Sequence, residues 1–240
     1  MKTIHLPGAS HMTERSATPL RPRVAMRAAR CALLTCSMLL AMTPAAFGQK
    51  WEFGAGAGGG FYTSETVTSP AGNADAKFAM GLAGSAWLVN NSGRLLSGEL
   101  RYDFQQGDMK LTSGGASASF GAQSHAIHYD FVLNAMPAGS RIRPFVAAGG
   151  GVKIYRGTGT EVEFQPLGNI ALLTKTHELK PLVSVGGGVK FRISNAISLR
   201  VEVHDYLTPF PQQVIAPALN AKVGGWLQDI VPMIGLSFVF

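Results

Sequence analysis

Beyond residue 48 the chain contains no cysteine. Both cysteines of the 240-residue sequence, Cys31 and Cys36, fall in its opening stretch. Disulfide frameworks and cysteine-ligated metals are thereby excluded from the remainder. Long hydrophobic runs are missing too: no segment after residue 48 reaches the roughly 18 consecutive apolar residues of a membrane-spanning helix. A basic excess is also lacking. The formal net charge is +7, but six of the 21 Lys and Arg and one of the 14 acids precede Gln49, leaving +2. Nucleic acid is therefore not an expected partner. Gly56-Ala57-Gly58-Gly59-Gly60 has neither the Lys-Ser/Thr nor the following helix of a phosphate loop. No His and Asp residues share metal-ligand spacing, so no cofactor or metal is expected.

The opening stretch has its own logic. Arg21, Arg23, Arg27 and Arg30 precede an apolar run over 31–42, followed by Thr43-Pro44-Ala45-Ala46-Phe47-Gly48. A positive region, a short apolar region and small residues before the cut make a secretory signal peptide. Residues 1–48 are expected to be removed, with Met26 as an alternative start, and 49–240 to form the folded protein. Leu33-Leu34-Thr35-Cys36 lacks the small residue that precedes a lipidated cysteine.

What the folded part has is alternation. Eight segments place apolar side chains at every second position: 51–62, 78–88, 95–106, 124–133, 141–155, 181–193, 198–204 and 230–240. The third is the clearest, with Leu96, Leu100, Tyr102 and Phe104 opposite Ser97, Glu99, Arg101, Asp103 and Gln105. In the second, Phe78, Met80, Leu82 and Leu88 share one face and Ala79, Gly81, Ala83, Ser85 and Trp87 the other, which leaves open which of the two faces the lipid. Strands of about 9–11 residues with one apolar face suffice to cross a bilayer. In lipid such a sheet must close on itself so that every backbone amide is paired. The connections alternate as well. They are short after the second, fourth and sixth segments and long elsewhere, with loops over 63–76, 157–178 and 208–225. Two stretches, 143–153 and 180–190, share Pro, a Gly-Gly-Gly triplet and a closing Val-Lys. Two copies fall short of a solenoid and are read as matching strands. The expected fold is all-β: an eight-stranded antiparallel up-and-down transmembrane β-barrel. A soluble, secreted lipocalin-like binder would invert the two faces, with aromatics lining a cavity.

An eight-stranded interior is just wide enough for side chains to fill it. By parity the inward ionisable residues are Glu52, Glu99, Asp103, Asp130 and Glu202 against Arg101, Arg143, Lys153, Lys190, Arg192 and Arg200. That balance predicts mutual pairing, because an unpaired buried charge is costly. It does not suit a charge-selective pore. Hence the lumen is expected to be plugged by a salt-bridge network. Catalysis lacks a basis: Ser124 and His125 are neighbours on one strand and must point to opposite faces, while His128, Asp130 and His204 point inward.

The chain closes on Gly235-Leu236-Ser237-Phe238-Val239-Phe240, with Leu236, Phe238 and Phe240 on one side. Together with Gly98–Phe104, Leu199–Tyr206 and the leader, this ending resembles the small outer-membrane barrels of OmpA and OmpX type. The resemblance implies localisation in the outer membrane of a Gram-negative-type bacterium. It marks Gly235, Leu236, Phe238 and Phe240 as the assembly signal read by the barrel-assembly machinery, with periplasmic chaperones during biogenesis. Outer-membrane lipid and lipopolysaccharide are the implied surroundings, and the long loops would meet any extracellular partner. No peptidoglycan-binding domain is expected after the barrel. A non-enzymatic structural or surface-interaction role is expected. Other readings are an OmpW-like conduit for small hydrophobic solutes, a lipid-modifying enzyme and the soluble binder.

Overall fold

The computed structural model describes residues 51–240, so the leader expected over 1–48 lies outside the described residues. Eight long strands form a closed antiparallel barrel. They are β1 (Trp51–Tyr62), β4 (Gly81–Asn90), β5 (Leu96–Gln106), β8 (Ala122–Asn134), β9 (Ile142–Gly157), β11 (His177–Arg192), β12 (Ile197–Pro209) and β14 (Trp226–Val239). Each pairs with its neighbours along the chain, and β1 pairs with β14 to close the ring. At that seam Trp51 and Phe240 exchange backbone hydrogen bonds of 3.0 and 2.9 Å.

The burial pattern is inverted relative to a water-soluble protein. Outward side chains such as Leu82, Phe131, Val146, Ile234 and Phe238 are more than half exposed, whereas Glu99, Asp130 and Arg200 are 0% exposed. Charge inside and hydrocarbon outside is the transmembrane arrangement, and it rules against the lipocalin-like alternative. Aromatic residues gather on the outward surface near the short-turn end, including Trp51, Phe53, Phe191, Phe238 and Phe240.

The long connections are more ordered than the sequence suggests. The loop expected over 63–76 is largely the hairpin β2 (Glu65–Ser69) and β3 (Gly72–Phe78), turning at Pro70 and Ala71. It is joined by a second hairpin, β6 (Met109–Ser113) and β7 (Ala116–Phe120), in a four-stranded sheet. Gly114 and Gly115 both have positive φ, the two-residue turn that matches strand twist. The other two loops contribute β10 (Ala171–Leu173) and β13 (Ile215–Pro217), which pair with each other. These elements enclose a hydrophobic core that includes Val67, Met109, Leu111, Ile170, Leu173, Phe210 and Ile215. Phe78 is corrected by this finding. Expected in the second barrel strand, on the face of Met80, Leu82 and Leu88, it ends β3 instead, buried between Tyr62 and Tyr155 at 5.1 Å from each ring. The barrel strand begins only after the chain breaks at Ala79 and Met80.

Inward glycines make the lumen fit its contents. Trp87 points inward and lies against the backbone of β1 and β14, where a Cβ on Gly54, Gly56 or Gly235 would strike its indole. Its Nε1 donates to Ser237 Oγ at 3.0 Å. The two glycine triplets do similar service. A Cβ at Gly149 or Gly151 would collide with Asp130 or His128, and one at Gly186 or Gly188 with His204 or Glu202. The repeat noted in the sequence thus provides space for two His–carboxylate pairs. Gly235→Val should lower barrel stability by about 1–3 kcal/mol through overpacking against Trp87. Gly84→Val is the control, since a Cβ there meets nothing nearer than 4.0 Å. Urea unfolding of refolded barrels, followed by tryptophan fluorescence, measures the difference; equal midpoints would refute the packing argument.

Candidate functional site

Ten of the eleven ionisable residues expected in the lumen are there, each at most 6% exposed: Glu52, Glu99, Arg101, Asp103, Asp130, Arg143, Lys153, Lys190, Arg200 and Glu202. Arg192 is the exception. It is the last residue of β11, exposed at the short-turn rim, where the chain turns away before a neighbouring wall covers it. Asp229 is the inward acid that sequence reading missed. Continuing the parity of Gly235, Met233 and Val231 through one more step of β14 would have found it.

The contents form successive layers. In the middle, Arg101 Nη1 lies 3.2 Å from Glu99 and 2.7 Å from Glu202. Arg200 reaches Glu99 Oε2 at 2.6 Å and Glu202 Oε2 at 2.5 Å. Two arginines and two glutamates thus form a closed ring of four ion pairs. Both guanidinium groups sit over the Trp87 ring, at 5.2 and 4.9 Å from its centroid. Cation–π attraction in a desolvated site adds about 2 kcal/mol per contact, a supplement to the ion pairs.

Towards the long-loop end, Asp103 takes Arg101 Nε at 3.0 Å and the Tyr206 hydroxyl at 3.0 Å. His128 bridges Asp103 and Asp130 at 2.9 and 3.0 Å, one carboxylate on each ring nitrogen. A neutral imidazole has one N–H to donate, so the imidazolium form satisfies both contacts. It also closes the charge count: six lumen carboxylates, including Asp229, face five Lys and Arg. Above this layer Lys153 Nζ reaches Asp229 at 2.5 Å, amid the rings of Tyr62, Tyr155 and Tyr206. Gln105 donates to the same carboxylate at 2.7 Å. The hydrophobic core of the loop sheets begins directly beyond, with Phe78 packed at a tilt against Tyr62 and Tyr155.

One group has the residue types of a hydrolytic array. Ser184 Oγ lies 3.4 Å from His204 Nδ1, and His204 Nε2 lies 3.3 Å from Glu202. All three residues are at most 2% exposed, and Ser184 donates its proton to Asp130 at 3.1 Å. A nucleophile needs a free face for substrate. Here every side is occupied, and the array serves as paired polar filling. Ser124 and His125 take opposite faces: Ser124 meets Tyr62 inside, while His125 meets the Tyr102 hydroxyl outside at 2.8 Å. Among the described residues no group of His, Asp and Glu is arranged to hold a metal ion.

Breaking a buried ion pair by removing one partner costs more than the pair contributes, because a charge is left uncompensated. Glu99→Gln leaves Arg101 and Arg200 to share Glu202, with one positive charge of the ring uncompensated, and should cost about 3–5 kcal/mol. Arg192→Gln, at the rim, should change stability by no more than about 0.5 kcal/mol. Equilibrium unfolding in urea compares them; a Glu99→Gln barrel as stable as wild type would disprove the role of the ring.

No protein-family model matches the sequence, and no curated protein is similar to it by sequence. The structure itself has clear counterparts. Outer membrane protein OprG from Pseudomonas aeruginosa superposes with a TM-score of 0.52 at 10% identity, over 80% of this chain and 97% of that one. Neisserial surface protein A gives a TM-score of 0.51 at 12% identity, over 79% and 97% of the two chains. With its closed ring of eight strands, its inverted surface and these counterparts, the chain has the fold of the small transmembrane β-barrels of the bacterial outer membrane.

Proposed function

We propose that the protein is a closed, non-catalytic outer-membrane barrel whose working surface is the cap built from its long connections. The observation that carries this reading is the continuity of filling along the axis. Layers of paired charges occupy the middle of the lumen, and the hydrophobic core of the cap follows, with Phe78 against Tyr62 and Tyr155. A conduit would need a water-filled path or a gap between strands, and the hydrogen-bonded ladder runs all the way round. An outward-facing, independently cored cap on a rigid wall suits a structural or surface-interaction role. Exposed Val162, Phe164 and Leu219 lie on it, with Glu161 and Glu163 beside the first two.

The same reading covers biogenesis. Leu236, Phe238 and Phe240 project outward from the last strand, about half exposed, and Gly235 faces Trp87. An aromatic, outward-facing final strand is what the barrel-assembly machinery would engage, after periplasmic chaperones deliver the chain. Lipid, including lipopolysaccharide in the outer leaflet, would then cover the apolar face.

Planar-bilayer recording tests the closed lumen. The unmutated protein should give no stable channel, and Glu99→Ala or Arg200→Ala should raise conductance above that baseline. A large, steady conductance from the unmutated barrel would overturn the reading.

A further inference from the structure

The short-turn mouth of the barrel is built differently from the rest of the lumen. Three inward cations lie side by side across β9, β11 and β12, because Lys190 is directly opposite Arg143 on one side and Arg200 on the other. Like charges placed opposite each other across strands repel. Arg200 is neutralised by Glu99 and Glu202, and Lys190 by Glu52 at 2.8 Å. Arg143 has no carboxylate within ion-pair distance among the described residues. Its Nε donates to the carbonyl of Met136 and its Nη1 to Asn91 Oδ1, at 3.0 and 2.9 Å. Its Nη2 is buried and has no hydrogen-bond partner, although the side chain is only 6% exposed.

Arg143 lines a cavity of about 50 Å³ at the mouth, together with Lys190, Glu52, Ser198 and the rim residue Arg192. Arg192 lies across Gly139, where an added Cβ would sit 3.6 Å from its Nη1. Three cations and one carboxylate therefore line a small space, and among these residues Arg143 Nη2 and Glu52 Oε1 are both buried without a hydrogen-bond partner. A lone water would use that donor but leave the excess positive charge in place. An oxyanion meets both demands, since a guanidinium binds carboxylate and phosphate oxygens through charge-assisted hydrogen bonds.

We propose that the short-turn mouth is a binding site for a small oxyanion, a phosphate or carboxylate group, held by Arg143 with support from Arg192 and Lys190. In an outer membrane the short turns face the periplasm. The site therefore lies at the end opposite the cap and stands independently of the role given to the cap. Occupation would relieve the Arg143–Lys190 repulsion and stiffen the mouth.

The refolded barrel, in a non-ionic maltoside detergent at low salt, is titrated with inorganic phosphate and separately with acetate, by calorimetry and, for phosphate, ³¹P line broadening. Saturable binding is expected, weakened roughly tenfold or more in Arg143→Gln through loss of charge-assisted bonds. Arg192→Gln should weaken it less and flatten its salt dependence. Binding of phosphate alone assigns a phosphate group, and binding of both anions extends the site to carboxylates. No saturable binding of either anion overturns the proposal, as does unchanged affinity in Arg143→Gln. Should Arg143→Gln fail to fold, Arg192→Gln decides: unchanged affinity and salt dependence overturn it.

Discussion

The ring of ion pairs among Arg101, Glu99, Arg200 and Glu202 sets the terms for everything around it. Four buried charges at the centre of a barrel wrapped in hydrocarbon have no solvent to fall back on. Each must therefore find a partner in the lumen, and each partner needs its own. The chain of obligations runs from the ring to Asp103, through His128 to Asp130, and up to Lys153 and Asp229. Trp87 supplies an apolar floor that keeps water from competing for the arginines. Glycines on the facing strands supply the room. Such a network stabilises less than its contact list suggests, because desolvation offsets much of the attraction. Its larger effect is to fix register, since a one-residue slip of any strand would turn its charges to lipid.

Much of this was legible in the sequence because a strand has period two. Parity alone assigned Glu99, Arg101 and Asp103 to one face of β5 and Leu100, Tyr102 and Phe104 to the other. The same alternation set Trp87 opposite Leu82 and Leu88 but left open which face was inward, because both faces of that strand carry large apolar side chains. The misses have physical reasons too. Arg192 obeys parity, but a wall residue is buried only where neighbouring strands extend past it. Asp229 lay just outside a segment whose apolar positions begin at Ile230. Phe78 fooled the alternation because two strands with different partners, β3 and β4, abut with only two residues between them. The cap was hardest to see. Its strands are three to seven residues long, and its core draws single residues from connections far apart in sequence.

The barrel and its cap solve opposite problems with one chain. The barrel buries charge and exposes hydrocarbon; the cap buries Val67, Met109, Leu111 and Ile215 as a water-soluble domain does. The changeover occurs within one layer, where Tyr62, Tyr155 and Tyr206 surround Lys153 and Phe78 packs at a tilt against two of these rings. Tyrosine suits that boundary, with an apolar ring for one side and a hydroxyl for the other. Tyr62 reaches Gln105, Tyr155 reaches Thr208, and Tyr206 reaches Asp103. The two cores are thereby joined through hydrogen bonds and ring contacts of the same three tyrosines.

The seam between β1 and β14 has a kinetic consequence. Every other junction in the wall joins consecutive barrel strands, and several of these close over a handful of residues. The seam brings Trp51 to Phe240, across nearly the whole described chain. Loop-closure entropy rises with the length enclosed, and folding slows as contacts become more distant in sequence. Hairpins can form early and locally, yet the ring of charges has no complete enclosure until that last ladder zips. The order of events is therefore built into the topology: local pairing first, circularisation last, and a dry interior only after both.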